Sequence, residues 1–216
     1  MPRPKEGYKC KDGASVPGVT TILSQNLGWN KVAMMGWAWK QGKAGKNLRD
    51  TQDEAMAIGT IAHQMIEAEL QGCAPDQVLV TVTPEQRDKL DNCMLAFYEW
   101  RDAFKPVIIK SEFPLVSETW RFGCTPDHLA TINRYSLLEV KTGTGDSAYP
   151  DWWMQLAAQG KAVLDNEMGH IEGYHILKVG KEDAGFAHFY KPDLSAHWEA
   201  FKLLLGVEKL RREIGK

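Results

Sequence analysis

The amino-acid sequence predicts an α/β fold in which a central mixed β-sheet is flanked by helices. Apolar residues follow a helical period in the first and last parts of the chain, whereas the middle is rich in β-branched and aromatic residues. The resulting order is helices, a strand meander, a helix, two strands and a final helix, which is typical of such a sheet. The chain has 216 residues, 44% of them hydrophobic and 25% charged, as expected for one globular domain over residues 1–216.

The N-terminal half is predicted to be helical. Residues 19–23 form a short strand or the start of a helix, and residues 31–48 form a helix that its glycines weaken. Apolar residues at helical spacing predict a helix over 53–71. Thr83 opens a capping box that starts a further helix, and Pro106 ends it.

The middle of the chain is predicted to form three sequential antiparallel strands, followed by a return to alternating helix and strand. The three strands are punctuated by proline, glycine and a turn at Asn133. The predicted elements are strands at 107–116, 121–132 and 135–141, a helix at 151–165, strands at 170–179 and 185–190, and a helix at 193–213.

The charge is unevenly distributed along the chain. The formal net charge is -2, yet residues 1–50 hold nine Lys or Arg against three Asp or Glu, a local excess of 9 - 3 = +6. The same segment holds Trp37 and Trp39, close to Lys43 and Lys46. Basic residues interleaved with aromatic ones can hold a phosphate backbone while bases stack, and the alternative is a solvated basic face over core tryptophans.

Several protein classes are disfavoured by what the sequence lacks. No stretch approaches the roughly 20 consecutive apolar residues that span a bilayer, and residues 1–11 have no apolar core for a signal peptide, so we expect a cytoplasmic protein without membrane partners. The four cysteines are far apart and form no CxxC pair, so we expect them to be reduced. The glycines before Lys43 do not have P-loop spacing, which disfavours ATP hydrolysis.

Two carboxylates and a lysine are brought together by the predicted meander. Asp127 and Glu139 are equally distant from Asn133, so a hairpin turning there places them opposite each other, with Cβ atoms roughly 5 Å apart. Such a pair repels unless a cation lies near it, and a hard divalent ion such as Mg²⁺ suits that position. Lys141 falls on the same strand face as Glu139 and can orient an attacking water and stabilise charge on a phosphate.

The neighbouring residues favour a buried cation site over the surface ion pair that the short pattern ExK alone would indicate. The apolar run around Glu139 is costly for a charged group, and the backbone carbonyl of Val140 is a natural further ligand. His63 is a candidate metal ligand, although a lone histidine is more often a core residue. Glu112 is a second acidic candidate, and Gln155 is an amide in apolar surroundings that needs partners.

Taken together, these fragments resemble the PD-(D/E)XK nuclease superfamily, and within it the RecB-like branch with its phage-type exonucleases. The likeness rests on the order and spacing of the fragments, from an N-terminal opening to residue 159. The fragments are VPGVTTIL at 16–23, GTIAH at 59–63, EFPL at 112–115, PD at 126–127, EVKTG at 139–143 and QLAA at 155–158.

The resemblance implies a restriction-endonuclease-like core over residues 51–216 and a role for each matching residue. The implied metal ligands, for Mg²⁺ or Mn²⁺, are His63, Asp127, Glu139 and the Val140 carbonyl, and the implied catalytic set is Lys141, Asp127, Glu139, Glu112 and Gln155. Gln159 stands where the family has tyrosine, which leaves its role open, and Tyr149 is a nearby tyrosine. No cysteine follows Cys124, so we expect no iron-sulfur cluster.

The function that follows from the resemblance is hydrolysis of DNA phosphodiesters from strand ends, in phage or bacterial recombination or processing. Trp37, Trp39, Trp152, Lys43 and Lys46 are the candidate substrate-binding residues. A structure-specific endonuclease with the same centre and a nucleic-acid-binding protein on a decayed nuclease fold are the alternatives. A recombination or annealing protein and further copies of this chain are left open as partners.

Overall fold

A computed structural model describes residues 4–29, 31–74, 82–143 and 146–215. The helices are α1 (Val19–Asn26), α2 (Lys31–Lys43), α3 (Leu48–Leu70), α4 (Pro84–Phe104), α5 (Pro150–Asp165) and α6 (Ser195–Ile214). The strands are β1 (Tyr8–Lys9), β2 (Ser15–Val16), β3 (Val107–Ser111), β4 (Leu115–Ser117), β5 (Phe122–Cys124), β6 (His128–Ile132), β7 (Arg134–Thr142), β8 (Gly173–Val179) and β9 (Phe186–Lys191).

The largest sheet has five strands in the order β3-β6-β7-β8-β9. The meander β3, β6 and β7 is antiparallel, β8 runs parallel to β7 after the crossover through α5, and β9 returns antiparallel. The predicted mixed sheet flanked by helices is therefore confirmed. The small hairpins β1-β2 and β4-β5 lie outside it.

Helices cover both faces of the sheet because its strands are apolar on both sides. One core cluster packs α1, α5 and α6 against β5 and one face of the sheet, and it includes Leu137. A second cluster packs α3 and α4 against the other face and includes Leu138 and Val140. Strand alternation thus directs Glu139 and Lys141, which share the face of Leu137, toward α5.

The helix boundaries are set by caps. At Thr83 the side chain accepts from the Gln86 N–H while the Gln86 side chain accepts from the Thr83 N–H, so the predicted capping box is confirmed. The helix expected over 53–71 begins earlier, at Leu48, because the Asn47 side chain caps it through the Arg49 N–H. The preceding helix α2 ends at Lys43 instead of continuing to residue 48, because Gly45 adopts a left-handed conformation with a φ of 71°.

Two of the predicted strands are wrong as single elements. The segment 107–116 is divided into β3 and β4, and 121–132 is divided into β5 and β6. The first division coincides with Glu112, whose φ of 42° is in the left-handed region, and the chain there leaves the main sheet. Asp127 lies at the second division, immediately before β6, which puts its carboxyl at the end of the sheet.

Two expectations from the sequence concern reduced cysteines and the absence of a membrane-spanning stretch. All four cysteines are free; Cys10, Cys93 and Cys124 are buried, and Cys73 is exposed. Among the described residues, none of the helices combines the length and the apolar character needed to cross a membrane.

Candidate active site

The β6-β7 hairpin places the two candidate carboxylates at one end of the sheet. It turns at Asn133, whose φ is 60°, and its register runs from Ile132↔Arg134 to His128↔Leu138. Asp127 is the next residue along this register, opposite Glu139. Its Oδ2 accepts a hydrogen bond of 2.9 Å from the N–H of Val140, which fixes the carboxyl against β7.

Glu139 is surrounded by three donors although its residue is only 2% exposed. Its Oε1 accepts from Nζ of Lys141 at 2.6 Å and from Nε2 of Gln155 at 2.6 Å. Its Oε2 accepts from Nε2 of Gln159 at 3.2 Å. A buried glutamate side chain requires such partners, and the network fixes the carboxyl group of Glu139 in position.

Lys141 is held as a cation. Burial alone would lower the pKa of its ammonium, but the carboxylates of Glu139 and Asp127 outweigh this effect and raise the pKa above its ordinary value. Nζ of Lys141 also donates a hydrogen bond of 3.3 Å to Oε1 of Gln155, and the lysine side chain is 22% exposed. The lysine can therefore donate hydrogen bonds to a bound group, whereas its raised pKa opposes a role as a general base.

Asp127 and His63 form the other side of the site. Burial, followed by the nearby Glu139 charge, raises the pKa of Asp127 well above its usual value, although Lys141 and the Val140 N–H oppose the shift. His63 lies with Nδ1 3.8 Å from Oδ2 of Asp127, and burial lowers its pKa despite a hydrogen bond with the Val140 backbone. A neutral imidazole is the form that binds a metal.

The position of His63 depends on a small residue one helical turn earlier. A Cβ added at Gly59 would lie 3.2 Å from Oγ1 of Thr142, so glycine allows α3 to approach β7 this closely. Glu67, one turn after His63, accepts a hydrogen bond from Gln71. Its Oε2 lies 3.8 Å from Nδ1 of the buried His128.

Glu112 completes the acidic set, and its backbone is tied to the site. Its N–H donates to the carbonyl of Asp127 at 2.8 Å. Together with His63 and Gly59 it lines an open cavity of about 640 Å³ beside α3. The auxiliary acid predicted from the sequence thus lies next to the carboxylates, on the side of His63.

A second, smaller cavity of about 260 Å³ lies on the other side of the carboxylates, toward α5 and the N-terminus. Its walls include Glu139, Lys141, Gln159 and two residues that the sequence did not indicate, Tyr8 and Thr125. The hydroxyl groups of Tyr8 and Thr125 are 2.9 Å apart. Because these two residues are 117 positions apart, no local pattern could have predicted their contact.

Tyr149 does not occupy this second cavity. The residue is 52% exposed at the N-cap of α5, and its ring packs edge-on against Trp152 with centroids 4.8 Å apart. Gln159, at the position where the PD-(D/E)XK family has tyrosine, donates a hydrogen bond to Glu139. An aromatic hydroxyl in the lining of this cavity comes from Tyr8 of the N-terminal hairpin.

The candidate substrate-binding residues lie at the surface, and Trp152 among them is beside the carboxylate site. On α2, Trp39 is 65% exposed with Nζ of Lys43 5.1 Å from its ring, and Trp37 and Lys46 are exposed as well. The alternative of core tryptophans is therefore wrong for α2. Trp152 is half-buried, with Nζ of Lys141 5.8 Å from its ring, so one aromatic face borders the carboxylate site.

The donor set suits a hard divalent cation, although the side chains are not drawn together around one point. Carboxylate and backbone carbonyl oxygens are the ligands that Mg²⁺ and Mn²⁺ prefer, and the imidazole nitrogen is a softer ligand of the kind that transition metals accept. Within the part of the chain that the structure describes, no three His, Cys, Asp or Glu side chains are grouped closely enough to hold a metal. A cation bound there would oppose the increase in the pKa of Asp127, because it would favour the ionised carboxylate.

Comparisons with models of protein families and with curated proteins found no match. Among solved structures, the fold is similar to an alkaline exonuclease (LHK-Exo) from Laribacter hongkongensis, at 14% identity over 71% of this chain and 83% of that chain, with a TM-score of 0.38. The same enzyme in complex with dAMP gives 15% identity over the same shares and a TM-score of 0.37. A structure of SSO0001 gives 13% identity over 68% and 69%, with a TM-score of 0.34. These likenesses are too weak to assign an activity. The function proposed below is therefore argued from the residues of the site.

Proposed function

We propose that this protein is a Mg²⁺- or Mn²⁺-dependent DNA exonuclease of the PD-(D/E)XK superfamily, with residues 1–50 contributing to DNA binding and residues 51–216 forming the nuclease core. One observation carries the proposal. Lys141 and Gln155 converge on the buried carboxylate of Glu139, next to Asp127, in the wall of the smaller cavity. The network satisfies the buried carboxylate and at the same time holds an ammonium beside it in the wall of a cavity, where a bound phosphate would meet both groups.

The residues that would hold the metal are His63, Asp127, Glu139 and the carbonyl of Val140. A divalent ion bound there would lower the pKa of a water and neutralise charge on the scissile phosphate. Asp127 supports this assignment because its partly buried carboxyl group lies beside a second carboxylate, an arrangement in which a nearby cation stabilises the ionised form.

The chain's own residues then determine how the phosphate is attacked. Lys141, held as an ammonium, orients the attacking water and stabilises the charge that develops on the phosphoryl oxygens. Gln155 positions both Lys141 and Glu139, since its amide bonds to each. Glu112 acts as an auxiliary acid on the side of His63. In-line attack breaks the bond to the 3′ oxygen and leaves a 5′-phosphate.

Binding of DNA is assigned to the exposed basic and aromatic residues next to the site. Trp37, Trp39 and Trp152 offer ring faces on which bases stack, and Lys43 and Lys46 meet the phosphate backbone. The α2 helix contains several lysines and no acidic residue, so it attracts a polyanion although the whole chain is slightly acidic.

An activity screen tests the proposal. Labelled linear and circular DNA, single- and double-stranded, are incubated with the protein in Mg²⁺, in Mn²⁺ and in EDTA. We expect linear DNA to be shortened from its ends, circular DNA to stay intact, and EDTA to abolish the reaction. Cleavage of closed circles would favour the endonuclease alternative, and the absence of cleavage in every metal would favour a non-catalytic nucleic-acid-binding protein.

A further inference from the structure

The small cavity beside Glu139 has the features of a ligand site. It is formed where Tyr8, the start of α1, β5 and α5 meet, and its volume is about 260 Å³. Apolar surface comes from Val19 and Cys124, and hydroxyl groups come from Thr20 and Thr125. Apolar walls with a few polar groups at fixed positions are typical of pockets that bind a small organic group.

Gln159 supplies the observation that points to a ligand. The residue is 1% exposed, and its Nε2 is engaged with Glu139, which leaves Oε1 as the free end of the amide. This oxygen is buried without a hydrogen-bond partner among the described residues. The neighbouring Gln155, by contrast, has partners for both ends of its amide. A buried acceptor without a donor is costly, so an incoming donor would be strongly favoured.

The size of the cavity restricts what can enter. About 260 Å³ lies just under the range of roughly 300–1,000 Å³ that is usual for small-molecule pockets, so one nucleoside fits and a continuous strand does not. Because Glu139 and Lys141 also line the cavity, an occupant would adjoin the phosphate that they act on. The open cavity of about 640 Å³ on the side of His63 leaves room for the rest of the strand.

We propose that the small cavity receives the nucleoside of the terminal nucleotide, and that Oε1 of Gln159 accepts a hydrogen bond from its sugar or base. This inference rests on the proposed nuclease function and deepens it, because a pocket for one nucleoside selects strand ends. Gln159 is then a specificity-determining residue that also positions Glu139.

Calorimetric titration tests the pocket without requiring turnover. The probes are deoxynucleoside 5′-monophosphates and inorganic phosphate, each added to the protein in Mg²⁺. We expect the nucleotides to bind at least tenfold more tightly than phosphate. The Gln159→Leu variant should reduce nucleotide affinity about tenfold, because one hydrogen bond to the ligand is removed. The matched control Gln71→Leu, at the exposed end of α3 and outside the lining of both cavities, should leave the affinity unchanged.

A second variant separates the pocket from the positioning of Glu139. Thr20→Trp places a large side chain at the exposed rim of the cavity and leaves all three donors to Glu139 unsubstituted. We expect it to weaken nucleotide binding while phosphate binding stays the same. The proposal would be overturned by equal affinities for nucleotide and phosphate in the wild type. It would also be overturned if neither variant changed the ratio of nucleotide affinity to phosphate affinity. Either result would show a cavity that holds only water. DNA cleavage combined with that result would overturn the pocket alone, whereas nucleotide preference without any cleavage would overturn the nuclease function alone.

Discussion

Asp127, Glu139 and Lys141 could be placed from the sequence because their arrangement is local. A hairpin of known turn position fixes which residues face each other, and strand alternation adds Lys141 to the same face. Tyr8 and Gln159 could not be placed in this way. Their positions depend on how the N-terminal hairpin and α5 pack on the sheet, and single-sequence periodicity carries no information about such packing.

Gly123 is the residue that allows Tyr8 to reach the site. A Cβ added there would lie 2.0 Å from Cγ of the Tyr8 ring, so the ring would have to move. We expect Gly123→Ala to lower the free energy of unfolding by about 1–3 kcal/mol, as for other overpacked cores. Urea unfolding measures the change.

Gly206 provides the matched control for that substitution. It lies inside α6 with no heavy atom within 4 Å of an added Cβ. Gly206→Ala should therefore raise the free energy of unfolding by about 0.5–1 kcal/mol, because alanine is the better helix former. Equal effects of the two substitutions would show that Tyr8 does not pack on Gly123.

At the level of elements, helices were easier to predict than strand ends. The helices have caps and periodic apolar faces that a sequence shows directly, as at Thr83. The first strand division occurs at Glu112, a non-glycine residue whose φ of 42° is in the left-handed region. A chain reversal at such residues lacks the glycine that normally signals it, so the β-rich pattern looked continuous across it.

The attachment of α6 to α1 depends on a buried carboxylate. Glu208 of α6 accepts hydrogen bonds from Arg211, Arg212 and Asn26, the last of these from α1. The Arg211 guanidinium, with help from Asn26 and Arg212 and against the effect of burial, lowers the pKa of Glu208 to about 2. Because the folded state favours the ionised form, Glu208 stabilises the protein above the pKa of the unfolded chain, and this contribution disappears as the pH falls toward 2.

Substitution of Glu208 should therefore have a pH-dependent effect on stability. We expect Glu208→Gln to lower the free energy of unfolding by about 1–3 kcal/mol at pH 7, and by less at about pH 3, since the wild type has then begun to lose the same interaction. Urea unfolding at both pH values measures this, with the exposed Glu199→Gln as control. A deficit of the same size under acidic and neutral conditions would contradict the assignment.

For the whole molecule, the net charge of -2 conceals a basic surface. Part of the positive excess of residues 1–50 lies on α2, which contains lysines and no acidic residue, whereas the buried Glu139 contributes to the negative total. The net charge alone therefore excluded only indiscriminate binding to polyanions. It is compatible with a local DNA-binding face next to a cation site.

DNA binding should accordingly weaken as salt rises. We expect the logarithm of the affinity for single-stranded DNA, measured by fluorescence anisotropy in EDTA, to fall linearly with the logarithm of the salt concentration. The double variant Lys43→Gln, Lys46→Gln should reduce this slope by about 1.4, or about 0.7 for each lysine that no longer neutralises a phosphate. The exposed Lys209→Gln on α6 is the control. An unchanged slope in the double variant would remove α2 from the binding surface.

The central claim is that the Glu139 network is a phosphodiesterase centre, and one comparison tests it most directly. Lys141→Ala and the control Lys209→Ala are assayed on end-labelled linear DNA in Mg²⁺ and in Mn²⁺, after circular dichroism has shown that both are folded. We expect the Lys141 variant to lose about a hundredfold or more in cleavage rate, because it lacks the cation that orients water and stabilises the phosphate, and the control to match the wild type. Undiminished cleavage by Lys141→Ala would contradict the account.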